Sequence, residues 1–204
     1  MITDERKNHW ENVYSTKQPN EVSWTQEIPA TSLKIINSFN LDKSAAIIDV
    51  GGGDSKLVDF LLSDGYTNIT VLDISGEALE KAKKRLGTKA NNVKWIETDI
   101  TAFEPTEQYT VWHDRAAFHF LTTPEQITNY VNTASNWVSG YLAIGTFSEK
   151  GPKRCSGLDI TQYNQEKLQT TFAKGFEQLE CLTDDHTTPF NTTQNFIFCS
   201  FKKR

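Results

Sequence analysis

The chain has little cysteine. Three residues in 204, Cys155, Cys181 and Cys199, are odd in number and far apart, with no C-x-x-C spacing. A disulfide framework and a zinc site are therefore not expected. No continuous run of about 18 apolar residues occurs, so no membrane-spanning helix is expected. Basic charge is not in excess: 21 Lys and Arg stand against 26 Asp and Glu, for a formal net charge of -5. Nothing in that balance requires the basic face of a nucleic-acid binder, and the closing Lys202-Lys203-Arg204 reads as a solvated tail. The opening stretch from Met1 to His9 is charged and lacks the apolar core of a secretory signal. A reduced, cytoplasmic protein is the expectation. Internal repeats, low-complexity tracts and linkers are also missing, so residues 1–204 read as one domain.

What is present is a globular composition, 37% hydrophobic with five tryptophans. Strand-like and helix-like segments alternate, the pattern of an α/β fold. Ala45–Val50 is an apolar run ending in Gly51-Gly52-Gly53, which reads as a buried parallel strand entering a tight turn. Ser55–Ser63 follows with one apolar stripe, then strand Asn68–Leu72, then helix Ser75–Leu86, capped by Ser75 and ended by Gly87. Strands are expected at Val93–Ile96, Tyr109–Trp112 and Tyr141–Phe147, with a helix over Pro124–Val138 between the last two. A helix over Asn164–Ala173 precedes two late strands, Phe176–Leu182 and Asn195–Phe201, placed as an antiparallel pair at one sheet edge. Two helices, Asp4–Tyr14 and Pro29–Ser38, precede the first core strand.

The segment Asp49-Val50-Gly51-Gly52-Gly53-Asp54-Ser55 sits where a strand turns into a helix. Glycine there permits a tight turn and lets a ligand approach the backbone closely. An acid about 20 residues on, at the end of the second strand, accepts hydrogen bonds from ribose hydroxyls; Asp73 stands there, at the end of I-T-V-L-D. This combination fits a nicotinamide-dependent oxidoreductase as well as an enzyme using S-adenosylmethionine. A dinucleotide fingerprint wants a third glycine for packing beside a pyrophosphate. Lys56 stands at that place, which favours a nucleoside ligand without pyrophosphate. At the end of the third strand, Asp99 can accept from an adenine amino group, while Ile100 and Ile74 can cover the two faces of the base. The plain alternative for Asp99 is a turn cap.

The series D-V-G-G-G-D-S, V-L-D-I-S, E-T-D-I and V-W-H-D-R-A-A-F-H-F resembles the ordered motifs of class I methyltransferases. The opening H-W-E-N-V-Y and V-S-W-T-Q resemble small methyltransferases related to the elongation-factor lysine methyltransferases. The resemblance implies a three-layer α/β sandwich around a seven-stranded, mostly parallel Rossmann-like sheet with one antiparallel strand. It also implies S-adenosylmethionine across the strand ends, held by Trp24, Asp49, Gly51, Gly52, Gly53, Asp73, Ile74, Asp99, Ile100 and His113. Residues 1–40 are then a helical lid carrying Trp10, Tyr14 and Trp24, whose alternative is ordinary packing. An N-P-P-Y motif after the fourth strand is missing, which argues against methylation of adenine or glutamine amino groups.

His113 and Asp114 end the fourth strand and are the candidates to accept a proton from the acceptor. Their alternative is structural, with Arg115 as a partner. His119, between Phe118 and Phe120, reads as a packed histidine. The loop Lys150–Leu158, with Lys153 and Arg154, and the stretch Thr183–Asn195, with Asp184, Asp185 and His186, can close a small polar pocket. The latter three residues lack the second cluster a metal site needs, and no metal is expected. The acceptor is expected to be a small molecule, with a protein lysine as the alternative. A non-catalytic partner keeping the fold is a further alternative, against which the intact set of Gly51, Gly53, Asp73 and Asp99 speaks.

Overall fold

Ile47, Ile48, Asp49 and Val50 are all buried, as a strand with neighbours on both edges and layers on both faces must be. In the computed structural model, which describes residues 3–204, this strand (β1, Ile47–Val50) lies inside a seven-stranded sheet. The other members are β2 (Ile69–Asp73), β3 (Val93–Glu97), β4 (Tyr109–Arg115), β5 (Val138–Phe147), β8 (Phe176–Thr187) and β9 (Thr193–Lys203). The order is β3-β2-β1-β4-β5-β9-β8. Pairings from β3 through β5 are parallel, and β9 runs antiparallel to both β5 and β8. The expected architecture, one antiparallel strand in a mostly parallel sheet, is what the chain adopts.

The two faces follow from side-chain alternation. Ile48, Val50, Trp112 and Leu142 point to one face, where α5 (Pro124–Trp137) and α6 (Gln165–Phe172) supply Tyr130, Ala134, Leu168 and Phe172. Ile47, Val111 and Ala143 point to the other, under α2 (Ala30–Ser38), α3 (Leu57–Ser63) and α4 (Gly76–Leu86), which supply Ile36, Leu57, Leu61 and Leu79. The Ser75 cap and the Gly87 stop are those read from the sequence. Ser75 Oγ accepts the Ala78 N–H, Thr123 and Gln126 form a capping box, and Gly87 ends α4 at φ 58°.

The first helix, α1 (Thr3–Thr16), is tied down by one carboxylate. Glu11 accepts the Gly76 N–H at 2.9 Å, the Glu77 N–H at 3.0 Å and the Ser75 hydroxyl at 2.8 Å. It thereby satisfies orphan donors at the start of α4.

Three expectations are corrected. The polar stretch Thr183–Asn195 is mostly strand, because β8 and β9 continue as a hairpin in which Asn195 donates to Asp185. The loop Lys150–Leu158 carries a small hairpin, β6 (Arg154–Cys155) with β7 (Leu158–Asp159). Cys181 and Cys199, far apart in the chain, face each other in the β8–β9 register and are joined as a disulfide, leaving Cys155 free and buried. Among the described residues no helix is long and apolar enough to cross a membrane.

Candidate active site

The strands from β3 to β4 end along one side of the sheet, and a cavity of about 320 Å³ lies across those ends. Open α/β sheets bind ligands at this edge, because the loops leaving the strands diverge there. Gly51 takes φ 65° as the chain leaves β1, a conformation that suits glycine. A Cβ on Gly52 would lie 2.7 Å from Asp49 Oδ2 and 2.8 Å from Val71 Cγ1. The packing of Asp49 and Val71 against this turn therefore requires glycine at position 52.

Of the expected cofactor residues, Trp24, Asp49, Gly51, Gly52, Asp73, Ile74, Asp99, Ile100 and His113 line this cavity. Gly53 sits behind the wall; a Cβ there would meet the Tyr14 hydroxyl at 2.8 Å and Asp73 at 3.0 Å. Asp73 is 5% exposed and accepts the Ser75 N–H at 2.9 Å. Burial, together with the Asp54 and Asp49 charges, pushes its pKa up to about 7. Asp99 does cap a turn: its Oδ1 accepts from the Thr101 N–H and hydroxyl. Its Oδ2, however, is buried without a hydrogen-bond donor, 3.5 Å from Arg6 Nη2. Lys56 lines the cavity and pairs with Glu27 at 2.5 Å.

β1 and β4 are neighbours with Asp49 opposite His113, so those side chains lie together. His113 Nδ1 is 2.7 Å from Asp49 Oδ1, and its Nε2 is 2.9 Å from Ser32 Oγ on α2. With Asp49 a carboxylate, Nδ1 carries the proton and Nε2 accepts from the Ser32 hydroxyl. All three residues are buried and border the cavity.

The next residue faces the other way. Asp114 is fully buried beneath the sheet, where it accepts the Ala117 and Phe118 N–H groups at 3.0 Å and the Tyr130 hydroxyl at 2.8 Å. Burial raises its pKa to about 6. It does not line the cavity, so the expectation that it works beside His113 is corrected: successive residues of a strand point to opposite faces. Nor does it pair with Arg115, which lines the cavity and donates from Nη1 to the Trp24 carbonyl at 3.0 Å.

His119 is packed as expected, stacked on Phe147, and burial lowers its pKa to about 3. Its Nδ1 accepts the Phe147 N–H at 3.4 Å, while Nε2 has no partner. Trp10, Tyr14 and Trp24 border the cavity as an aromatic cluster, with Phe120 against Trp10.

The two candidate loops behave differently from expectation. Lys153 and Arg154 do not line the cavity, and Arg154 pairs outside with Asp159; only Cys155 of that loop reaches the wall. Asp184 accepts from Thr31 and His186 Nε2 meets the Ser23 carbonyl at 2.7 Å, so that strand anchors the N-terminal segment. No metal-binding group of three or more side chains forms among the described residues. Ser32, Arg115, Phe120 and Cys155 were not picked out as wall residues from the sequence. Only Arg115 carried a signal, the period-2 step from His113 along β4.

Residues 47–140 match the family model described as a methyltransferase domain. No curated protein matches the chain. Among solved structures, a SAM-dependent methyltransferase from Anabaena variabilis superposes with a TM-score of 0.78 at 15% identity, over 100% of this chain and 96% of that one. A magnesium protoporphyrin IX methyltransferase from Synechocystis, with bound S-adenosylhomocysteine, gives 0.70 at 15% identity over 99% and 96%. The N-methyltransferase NodS from Bradyrhizobium japonicum, also with S-adenosylhomocysteine, gives 0.67 at 12% identity over 98% and 96%. At these identities the superpositions speak for the fold, and the activity class rests on the family match. With the methyltransferase-domain match over residues 47–140, the chain is read as a methyltransferase enzyme that uses S-adenosylmethionine.

Proposed function

We propose that this enzyme methylates a small-molecule acceptor inside the cavity. The observation that carries this reading is the lining of the cavity: Trp10, Tyr14, Trp24 and Phe120 form an aromatic wall, and Ser32 and His113 border it. A macromolecular acceptor would have to pass that aromatic wall with a side chain alone. The N-terminal residues 1–40 act as the lid in this reading, held by Glu11, and by Asp184 and His186 of β8.

The wall suits the cofactor in three places. Gly51 and Gly52 border the cavity at the end of β1, where its methionine part would lie. Asp73 accepts from ribose hydroxyls. The donor-free Oδ2 of Asp99 takes the adenine amino group, with Ile74 and Ile100 on the faces of the base. When bound, S-adenosylmethionine supplies an electrophilic methyl group on a sulfonium. The chain's contribution is to align the acceptor's lone pair with that methyl. It also gives the acceptor's proton a path, with Ser32 Oγ passing a proton to His113 Nε2 and Asp49 stabilising the imidazolium.

Incubation with methyl-labelled cofactor and a lysate of the source organism tests the reading. Label in low-mass extractable material is the expected result. Label in one discrete protein band, placed on lysine by peptide mapping, would replace the proposal with the protein-lysine alternative that the opening motifs suggest.

A further inference from the structure

Arg115 ends β4 two residues beyond His113, on the same face of the strand. Its guanidinium borders the cavity with two of its three nitrogens left without partners. Nη1 donates to the Trp24 carbonyl at 3.0 Å, but Nε and Nη2 are buried without a hydrogen-bond partner. Burial lowers its pKa only to about 10, so the charge is kept at neutral pH. The carboxylates that influence it, Asp184 and Asp49, are already engaged with Thr31 at 2.8 Å and His113 at 2.7 Å. Below it lies the ring of Phe196, 4.8 Å from the guanidinium carbon. An orphaned buried donor costs stability unless a ligand satisfies it, and a charged one costs more.

Nε and Nη2 form one edge of the guanidinium, two parallel N–H groups spaced for the two oxygens of a carboxylate. Arg115 lines the same cavity as Ser32, His113, Trp24 and Cys155. The positions of Asp73 and Asp99 are across β1, on β2 and beyond β3. We propose that Arg115 is the specificity anchor for the acceptor, and that the acceptor is a small molecule carrying a carboxylate. This rests on the reading of the cavity as the methyl-transfer site. It also bears on the lysine alternative, because a cationic side chain would enter beside an uncompensated guanidinium.

The test uses protein saturated with S-adenosylhomocysteine, titrated by calorimetry with three probes of one shape: benzoate, benzamide and benzylamine. Benzoate is expected to bind at least about tenfold more tightly than the other two, the factor for losing one charge-assisted hydrogen bond. Arg115→Gln should remove that preference, and Arg115→Lys should restore part of it. Equal binding of the three probes by the unaltered protein overturns the inference, and this arm needs no variant to fold. So does an Arg115→Gln protein that keeps the benzoate preference, or one that loses S-adenosylhomocysteine as severely as benzoate; the latter would assign Arg115 to the cofactor's own carboxylate. Failure of the unaltered protein to bind S-adenosylhomocysteine overturns the cofactor reading and this inference together. Cofactor binding without discrimination among probes overturns this inference alone.

Discussion

Asp73 should make cofactor binding fall steeply on the acid side of neutrality. Its carboxyl is 5% exposed, and burial beside Asp54 and Asp49 holds its pKa at about 7. If the ionised form accepts the ribose hydroxyls, apparent affinity scales with the ionised fraction. S-adenosylhomocysteine should then bind roughly tenfold more weakly at about pH 6 than at about pH 8, and roughly thirtyfold more weakly at about pH 5.5. The sign for stability of the ligand-free protein is opposite. A carboxyl whose pKa rises from 3.8 to about 7 on folding favours the folded state while protonated. That contribution is complete below about pH 4 and is lost as pH climbs through about 7, by roughly 4 kcal/mol in all. Isothermal titration with S-adenosylhomocysteine across this range, on the natural protein and on Asp73→Asn, measures the first effect. Melting temperatures of the same two ligand-free proteins measure the second. A flat affinity profile in the natural protein, or the same slope in Asp73→Asn, would refute the assignment of Asp73 to the ribose.

Gly52→Ala should lower the melting temperature, because its Cβ would press on Asp49 and Val71 at 2.7 and 2.8 Å. Overpacking of this kind costs roughly 1–3 kcal/mol, or about 2–4 °C per kcal/mol in a chain of this size. Asp114→Ala should also melt earlier, because it strips the acceptor from the Ala117 and Phe118 N–H groups and from Tyr130. Its affinity for S-adenosylhomocysteine should be kept. A variant with unchanged melting and lost turnover would return Asp114 to the chemistry. Deleting residues 1–28 should weaken S-adenosylhomocysteine by calorimetry and also destabilise the fold, since Glu11 leaves with its three hydrogen bonds to α4. An equally stable truncation with natural affinity would show that the segment neither caps nor covers.

How much was legible depended on how local each signal was. Val50-Gly51-Gly52-Gly53, the Ser75 cap and the Gly87 stop are set within a few residues, so the elements they bound could be read directly. Ala45–Val50 read as a buried strand from its apolar run; the alternation that sets Ile47 and Ile48 in opposite layers is seen in the structure. Asp73 at the end of β2 and Asp99 just past the end of β3 both line the cavity, because the ends of neighbouring parallel strands converge on one edge. The same alternation, followed one residue further, separates Asp114 from His113.

What the sequence determined by itself was the succession of strands and helices; its family resemblance added the sheet they make. Hydrophobic period, caps and glycine turns are properties of neighbouring residues and survive without knowledge of the fold. Tertiary structure alone decided what meets across it: Ser32 with His113, Glu11 with the start of α4, Cys181 with Cys199, and Arg115 with no partner for two of its nitrogens. Such contacts depend on strand register and on how a helix docks. Those are set by packing over many residues at once, which no single stretch of sequence encodes.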